Sequence, residues 1–347
     1  MRAAVYEGQN RVVVRELPVP EFGPREVLVR INCCGVCGTD LKKIQYGLVP
    51  PPRIFGHEMA GVIAAVGEQV RDWQVCDRVA VMHHVPCMDC YYCRHSNFAQ
   101  CPVYKKTGTT AGYEPSGGGY AEYIRVMDWV VERGMVRIPS GVTDEEATFI
   151  EPVNTVLKGV ERCQARPGQT ALVVGLGQIG LLFAQCLRIE GVTILGSDPQ
   201  KSRRKAARKF GVLDTVDPTS VDLPDHCRAA TESRGVDIVV VAVPSREAAE
   251  LALSCVRPGG KVLLFAHTRL NDMIEVDGGA ICMLEKDLIG SYSSDILLQD
   301  KAASYIFDRK IDIPSLITHR FPLEQIDRAI DLASNPTDNS LKVMVTI

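Results

Sequence analysis

Four thiols stand at Cys87-x2-Cys90-x2-Cys93-x7-Cys101, and the short loops between them can turn every sulfur toward one tetrahedral centre about 2.3 Å away. Unrelated buried cysteines do not crowd together in this way. A structural zinc is the reading this spacing favours. An iron–sulfur cluster would use the same thiolates, although nothing else in the chain suggests electron transfer through the protein.

A second constellation is spread along the chain as Cys37-Gly38-Thr39-Asp40, Gly56-His57-Glu58 and Glu151-Pro152. Taken singly, Cys37 reads as a small core residue, His57 as a hydrogen-bonded structural histidine and Glu151 as a carboxylate at a helix N-terminus. Together they supply one thiolate, one imidazole and one or two carboxylates, with a position left for water or substrate. That is the donor set of an open catalytic zinc. Asp40 would then take the other ring N–H of His57 and fix its tautomer.

The third motif is Gly175-Leu176-Gly177-Gln178-Ile179-Gly180, which follows the apolar run 170–174 and opens a helical stretch. A lone glycine triplet is weak evidence, but here a strand precedes it and a helix follows. A second strand then ends at Asp198, about 20 residues on, where a ribose-binding acid is expected. Glycine backbone and a helix N-terminus together suit a pyrophosphate.

The elements that must hold these groups change character along the chain. Up to about Gly141, short runs punctuated by Gly and Pro (27–31, 61–66, 78–81 and 120–124) predict a β-barrel-like domain, with the alternating segment 1–17 also strand-like. Helix signals begin at 144–147 and 152–163. After them, apolar strands at 170–174, 192–196, 236–242 and 261–265 are separated by helical segments at 180–190, 200–210 and 247–256. Strand and helix in this rhythm predict a parallel sheet covered on both faces. A closing strand is expected at 342–347.

Composition bounds the function. With 347 residues, 46% of them hydrophobic and only 6% aromatic, the chain can build two domains with large cores. The 39 Lys and Arg nearly balance 42 Asp and Glu, so the net charge of −3 offers no basic field for nucleic acid and no polybasic membrane patch. No apolar run approaches the roughly 20 residues that span a bilayer, and the first residues lack a signal-peptide core. A cytoplasmic protein acting on a small molecule is expected, and its thirteen cysteines point to metal in place of disulfides.

In these motifs the chain resembles, over nearly its full length, the zinc-dependent medium-chain alcohol dehydrogenases, and within them the sorbitol, threonine and polyol-phosphate dehydrogenase branch. The resemblance is carried by Gly35-Val36-Cys37-Gly38-Thr39-Asp40, Gly56-His57-Glu58, the four-cysteine lobe, Gly119-Tyr120-Ala121-Glu122-Tyr123, Glu151-Pro152 and the glycine fingerprint, in the family's order. A carboxylate at Glu151, where the ordinary alcohol dehydrogenases carry Cys, points to the polyol and threonine branch.

The resemblance implies an α/β protein. A GroES-like, β-rich catalytic domain would comprise 1–152 and 290–347, with a structural zinc lobe at about 84–104, and a Rossmann-type doubly wound parallel sheet would bind NAD at 153–289. It implies two zinc ions per chain. Cys37 and His57 would hold the catalytic one, with Glu58 and Glu151 binding directly or through a water, and Cys87, Cys90, Cys93 and Cys101 would hold the other. Gly175, Gly177, Ile179, Gly180, Asp198 and Arg203 would contact the cofactor, and Thr39 would take the substrate proton. The activity implied is hydride transfer between NAD and a secondary alcohol, a polyol, sugar or cyclitol derivative, in a homo-oligomer (dimer or tetramer). The alternatives are an L-threonine-type amino alcohol dehydrogenase, and a non-catalytic zinc- and dinucleotide-binding redox sensor. A zinc-independent enone or quinone reductase would lack both the lobe and the ligands.

Three departures stand out. Lys42 occupies the place of the histidine that ends the proton relay in many relatives. Cys76 replaces a usual Gly, so a differently built turn is expected there. The segment 107–118 is longer than usual and is expected either to alter substrate access or to be a plain surface loop. Pocket walls are expected from 41–52, 82–85, 107–113 and 272–294.

Overall fold

The computed structural model describes residues 1–266, 273–337 and 339–347. Asp272, one end of an expected pocket wall, lies outside them. The chain divides into two compact units, Met1–Asn154 with Asp295–Ile347, and Thr155–Ser294.

In the first unit the main sheet runs, in spatial order, Ile317–Pro322, Lys342–Thr346, Val27–Gly35, Glu58–Val66, Arg78–Val81 and Met135–Arg137. Tyr123–Val126 pairs with Val27–Gly35 as well. Strand Val27–Gly35 is buried along most of both faces, which its near-continuous apolar text requires. Register shifts between Leu28 and Val29 and between Ile31 and Cys33 bend it against Glu58–Val66, and such bulges curl a sheet around a core. That core gathers Val29, Ile31, Ile63, Val79, Ile124 and Val345.

The strand expected at 120–124 forms later, at Tyr123–Val126. Tyr120 instead accepts from Ala4 N–H at 2.8 Å and donates its own N–H to Phe55 O at 3.1 Å. It therefore joins the chain beside His57, outside the regular sheet. The segment 107–118 is not a plain surface loop either: Thr109–Thr110 pairs with Tyr123–Val126, and Ser116 and Gly118 both donate to Ile54 O. Only its tip is exposed. Cys76 was expected to rebuild its turn, yet it takes φ 76°, the left-handed region that a glycine there would adopt.

The second unit carries a six-stranded, wholly parallel sheet in the order Asp214–Val216, Thr193–Ser197, Thr170–Val174, Val236–Val241, Val256–Leu264, Asp287–Gly290. Strand order reverses between Thr170–Val174 and Val236–Val241, and ligands of such sheets bind outside the strand C-termini at that switch. The glycine loop begins there. Helix Ile150–Cys163 starts two residues before the expected Pro152, which then sits in the first turn, where a missing N–H is harmless. Among the described residues no helix is long and apolar enough to cross a membrane.

Candidate active site and metal centres

Strand Val27–Gly35 delivers Cys37 to the N-cap of helix Gly38–Gln45, with an extended backbone at φ −106° and ψ 141°. The next strand, Glu58–Val66, starts at Glu58 and leaves His57 just ahead of it. Ligand atoms of Cys37, His57 and Glu58 all lie within 4.8 Å of one another.

Asp40, fully buried, orients the imidazole. Its Oδ1 lies 3.1 Å from His57 Nδ1, while Oδ2 accepts from Gly56 N–H at 3.2 Å and the Tyr120 hydroxyl at 3.3 Å. The arrangement commits the Nδ1 proton to Asp40 and leaves Nε2, on the Cys37 side, with a lone pair for a metal. Burial opposes ionisation of both partners. The mutual attraction prevails, lowering the Asp40 carboxyl pKa and raising that of His57, with Cys37 adding to the latter.

Glu58 is paired on its far side with Lys342, whose ammonium also donates to Val36 O at 3.1 Å. Gly35 makes the pairing possible: a Cβ there would lie 2.1 Å from Glu58 Oε2 and 2.6 Å from Lys342 Cε. Glu151 sits in the first turn of helix Ile150–Cys163, outside the three-donor group but coupled electrostatically to His57 and Glu58. Burial pushes its carboxyl up to about 7, with Glu58 and Asp40 raising it and His57 and Lys342 opposing. A thiol and three buried carboxyls gathered around one imidazole, with Lys342 and Lys43 as neighbouring cations, suit a divalent cation, because incompletely paired buried anions are costly. Thr39 is exposed in the first turn of the same short helix. Lys42 is half-buried one turn further on, and burial lowers its ammonium pKa against Tyr46 and Cys37.

The four thiols of the lobe converge independently. Cys87–Cys93, Cys90–Cys93 and Cys101–Cys87 sulfurs are 3.9, 3.6 and 3.6 Å apart. Sulfurs on a tetrahedron of radius about 2.3 Å would stand roughly 3.8 Å apart. Backbone N–H groups of Cys87 and Cys90 point at Cys101 and Cys87 sulfurs at 3.4 and 3.3 Å, as they do around thiolates.

In the second unit Gly175 takes φ 91°, and a Cβ on Gly180 would stand 1.8 Å from Gly175 O, so the helix Gln178–Ile189 can close onto the loop only with glycine there. Gly177 caps that helix and Ile179 lies in its first turn. Asp198 accepts the Leu176 N–H at 2.9 Å and the Gln200 N–H at 2.8 Å, and Arg203 Nη1 is 3.8 Å from it. Around this carboxylate Ser197 Oγ, Gln200 Oε1, Ser202 Oγ and Arg203 Nε are buried with no hydrogen-bond partner among the described residues. Orphaned polar atoms beside a glycine loop fit a polar ligand such as a dinucleotide.

Residues 23–139 match the alcohol dehydrogenase GroES-like domain, and residues 179–306 match the zinc-binding dehydrogenase family. A sorbitol dehydrogenase of Bacillus subtilis (strain 168) is 31% identical over 352 residues, covering 99% of this chain and 97% of its own length. The chain belongs to the zinc-dependent medium-chain alcohol dehydrogenases. Within that family it falls in the polyol dehydrogenase branch. A zinc-binding dehydrogenase of Sinorhizobium meliloti 1021, solved bound to NADP, superposes with a TM-score of 0.90 at 28% identity, over 100% of this chain and 99% of the other. Galactitol-1-phosphate dehydrogenase from Escherichia coli superposes at 0.88 with 27% identity, over 100% of both chains.

For this medium-chain dehydrogenase, sequence reading missed Lys342, and assigned no role to His83 and His84 within an expected pocket wall. The rings of His57 and His83 are 4.6 Å apart and those of His83 and His84 3.9 Å. Two adjacent histidines just before the first lobe cysteine were the available signal; for Lys342 there was none.

Proposed function

We propose that this dehydrogenase oxidises a secondary alcohol of the polyol, sugar or cyclitol class with NAD. The observation that carries this reading is the convergence of Cys37, His57 and Glu58 donors, with Asp40 holding the His57 ring at Nδ1 so that Nε2 is left for a metal. When bound, zinc supplies Lewis acidity toward the substrate oxygen and NAD accepts the hydride. In this proposal Cys37 and His57 hold the metal, and Glu58 and Glu151 bind it directly or through a water. The Thr39 hydroxyl takes the carbinol proton. Cys87, Cys90, Cys93 and Cys101 hold a second zinc that keeps the lobe folded. Gly175, Gly177, Ile179 and Gly180 receive the pyrophosphate, Asp198 accepts from the adenosine ribose, and Arg203 lies across the adenine side.

Two further parts of the proposal have their own support. None of the thirteen cysteines forms a disulfide, which suits a reducing cytoplasm. The short strand Asp287–Gly290 ends its sheet, with exposed Met283 and Leu284 just before it, which suits a homo-oligomer; light scattering on purified protein checks it.

The test is zinc-loaded protein with NAD and a panel of polyols, sugar phosphates, cyclitols and L-threonine, followed by NADH absorbance. Turnover of at least one polyol-type alcohol is expected. Turnover of L-threonine alone would move the chain to the amino alcohol reading, and turnover of nothing in protein carrying its zinc would favour a redox sensor.

A further inference from the structure

Between the two proposed metal centres runs an unbroken stack of rings. His57 and His83 centroids are 4.6 Å apart at 33°, His83 and His84 3.9 Å apart at 44°, and His84 and Tyr104 5.2 Å apart at 26°. The last ring belongs to the lobe. Tyr104 is buried among Cys93, Phe98 and Cys101, one turn beyond the last thiol, where Lys105 N–H closes onto Cys101 O at 3.1 Å.

Packing orients the two middle rings, and His84 is also hydrogen-bonded to the backbone at Tyr104 and Lys106. The Nδ1 atoms of His83 and His84 are both buried with no hydrogen-bond partner among the described residues. The His83 backbone is pinned by Gly108 N–H at 2.8 Å, but no hydrogen bond at Nδ1 fixes its ring. His57 itself is held at one edge by Asp40 and on one face by His83.

We propose that the thiolate lobe tunes the metal affinity of the Cys37–His57–Glu58 centre through the stack Tyr104–His84–His83–His57, with His83, His84 and Tyr104 acting as positioning residues. The proposal rests on the two-zinc reading above. An imidazole that can rock about its Asp40 bond displaces its Nε2, and groups that hold a metal-ligating histidine in place are felt as metal affinity. An aromatic pair contributes about 0.5–1.5 kcal/mol, so breaking one contact of the stack weakens the open centre by roughly threefold to tenfold, at 1.4 kcal/mol per decade. Coupling between two binding sites is reciprocal. Metal in the open centre therefore steadies the lobe by the same factor.

The experiment is chelator competition on full-length zinc-loaded protein, with a chromophoric chelator reading a fast phase from the open centre and a slow phase from the four-thiolate site. Tyr104→Leu and His84→Leu are compared with Tyr104→Phe and His84→Phe. The visible spectrum of Co2+ placed in the open centre reports its geometry independently of activity. Leucine variants are expected to weaken the open centre by roughly threefold to tenfold and to alter the Co2+ bands, while phenylalanine variants keep both. His84 lies outside the cysteine loop, so its pair reads the stack even where Tyr104→Leu loosens the lobe. Unchanged affinity and spectrum in both leucine variants, or equal losses in the phenylalanine variants, overturns the coupling while leaving the two-zinc reading intact. Fewer than two zinc ions in the native protein overturns that reading itself.

Discussion

Lys342 and Glu58 form an ion pair that is almost wholly buried, although 284 positions separate them in sequence. The ammonium meets Glu58 on one side and Val36 O on another, so it compensates the one carboxylate of the three-donor group Cys37, His57 and Glu58. Replacing Lys342 by Met keeps the length of the side chain and strands the Glu58 charge. A loss of about 3–5 kcal/mol is expected, read as a lower urea midpoint at constant slope. The double variant Lys342→Met/Glu58→Gln should recover part of it, and a single variant as stable as the native protein would show the pair to be idle.

Thr39→Val preserves shape and removes the hydroxyl. Hydride transfer is expected to slow by roughly 10² or more, the usual size of lost acid–base assistance, with zinc content unchanged. Native turnover in this variant would assign the substrate proton to another group.

Asp198 accepts at both oxygens from backbone N–H groups, of the glycine loop and of the turn after its strand, and in the proposed role its charge would disfavour a 2′-phosphate. The expected preference for NAD over NADP in kcat/KM is at least roughly tenfold, and Asp198→Ala should shrink it. The neighbour solved with NADP makes the comparison decisive: a native preference for NADP means that Asp198 does not read the ribose.

Cys76 carries a side chain at φ 76°. Left-handed backbone costs a non-glycine residue about 1–2 kcal/mol, partly offset by the extra unfolded-state freedom that glycine brings. Cys76→Gly should therefore gain about 0.5–1 kcal/mol in denaturant titration; a loss would mean the thiol makes a contact that outweighs the strain.

Glu26 accepts two bonds from Arg125, both at 2.7 Å, and the Gly23 N–H at 2.5 Å. Burial raises its carboxyl pKa, but these donors outweigh burial and leave it below the ordinary 4.5. A depressed folded pKa gives stability that is complete above the unfolded value and is lost as pH falls through the folded one. Glu26→Gln should cost about 1–3 kcal/mol near neutral pH and flatten the fall in stability below about pH 4.5.

What was legible in the sequence was local. The lobe cysteines and the glycine loop each fall in one short segment, so spacing alone brought their atoms together, and Arg78–Val81 and Thr170–Val174 were readable to the residue. Pairings between distant segments were not. Strand Ile317–Pro322 ends in a proline and pairs through a register shift at Ile317 and His319, which hides its pattern. Tyr120 looked like strand because its neighbours alternate, yet its partners are Phe55, Ala4 and Asp40. His83 and His84 carry no periodic signal; only the rings on either side give them a place.

Strand Lys342–Thr346 lies between Ile317–Pro322 and Val27–Gly35, so the first unit is closed by a strand that comes after the whole of the second unit in the chain. During synthesis the contiguous segment Thr155–Ser294 can close its own parallel sheet while residues 33–35 still lack the strand that pairs with them and Glu58 has no counter-charge. Contacts this remote in sequence form late. The counter-charge of the Cys37–His57–Glu58 group is thereby supplied only after the second unit has been made, whereas the four lobe cysteines are all present once Cys101 is.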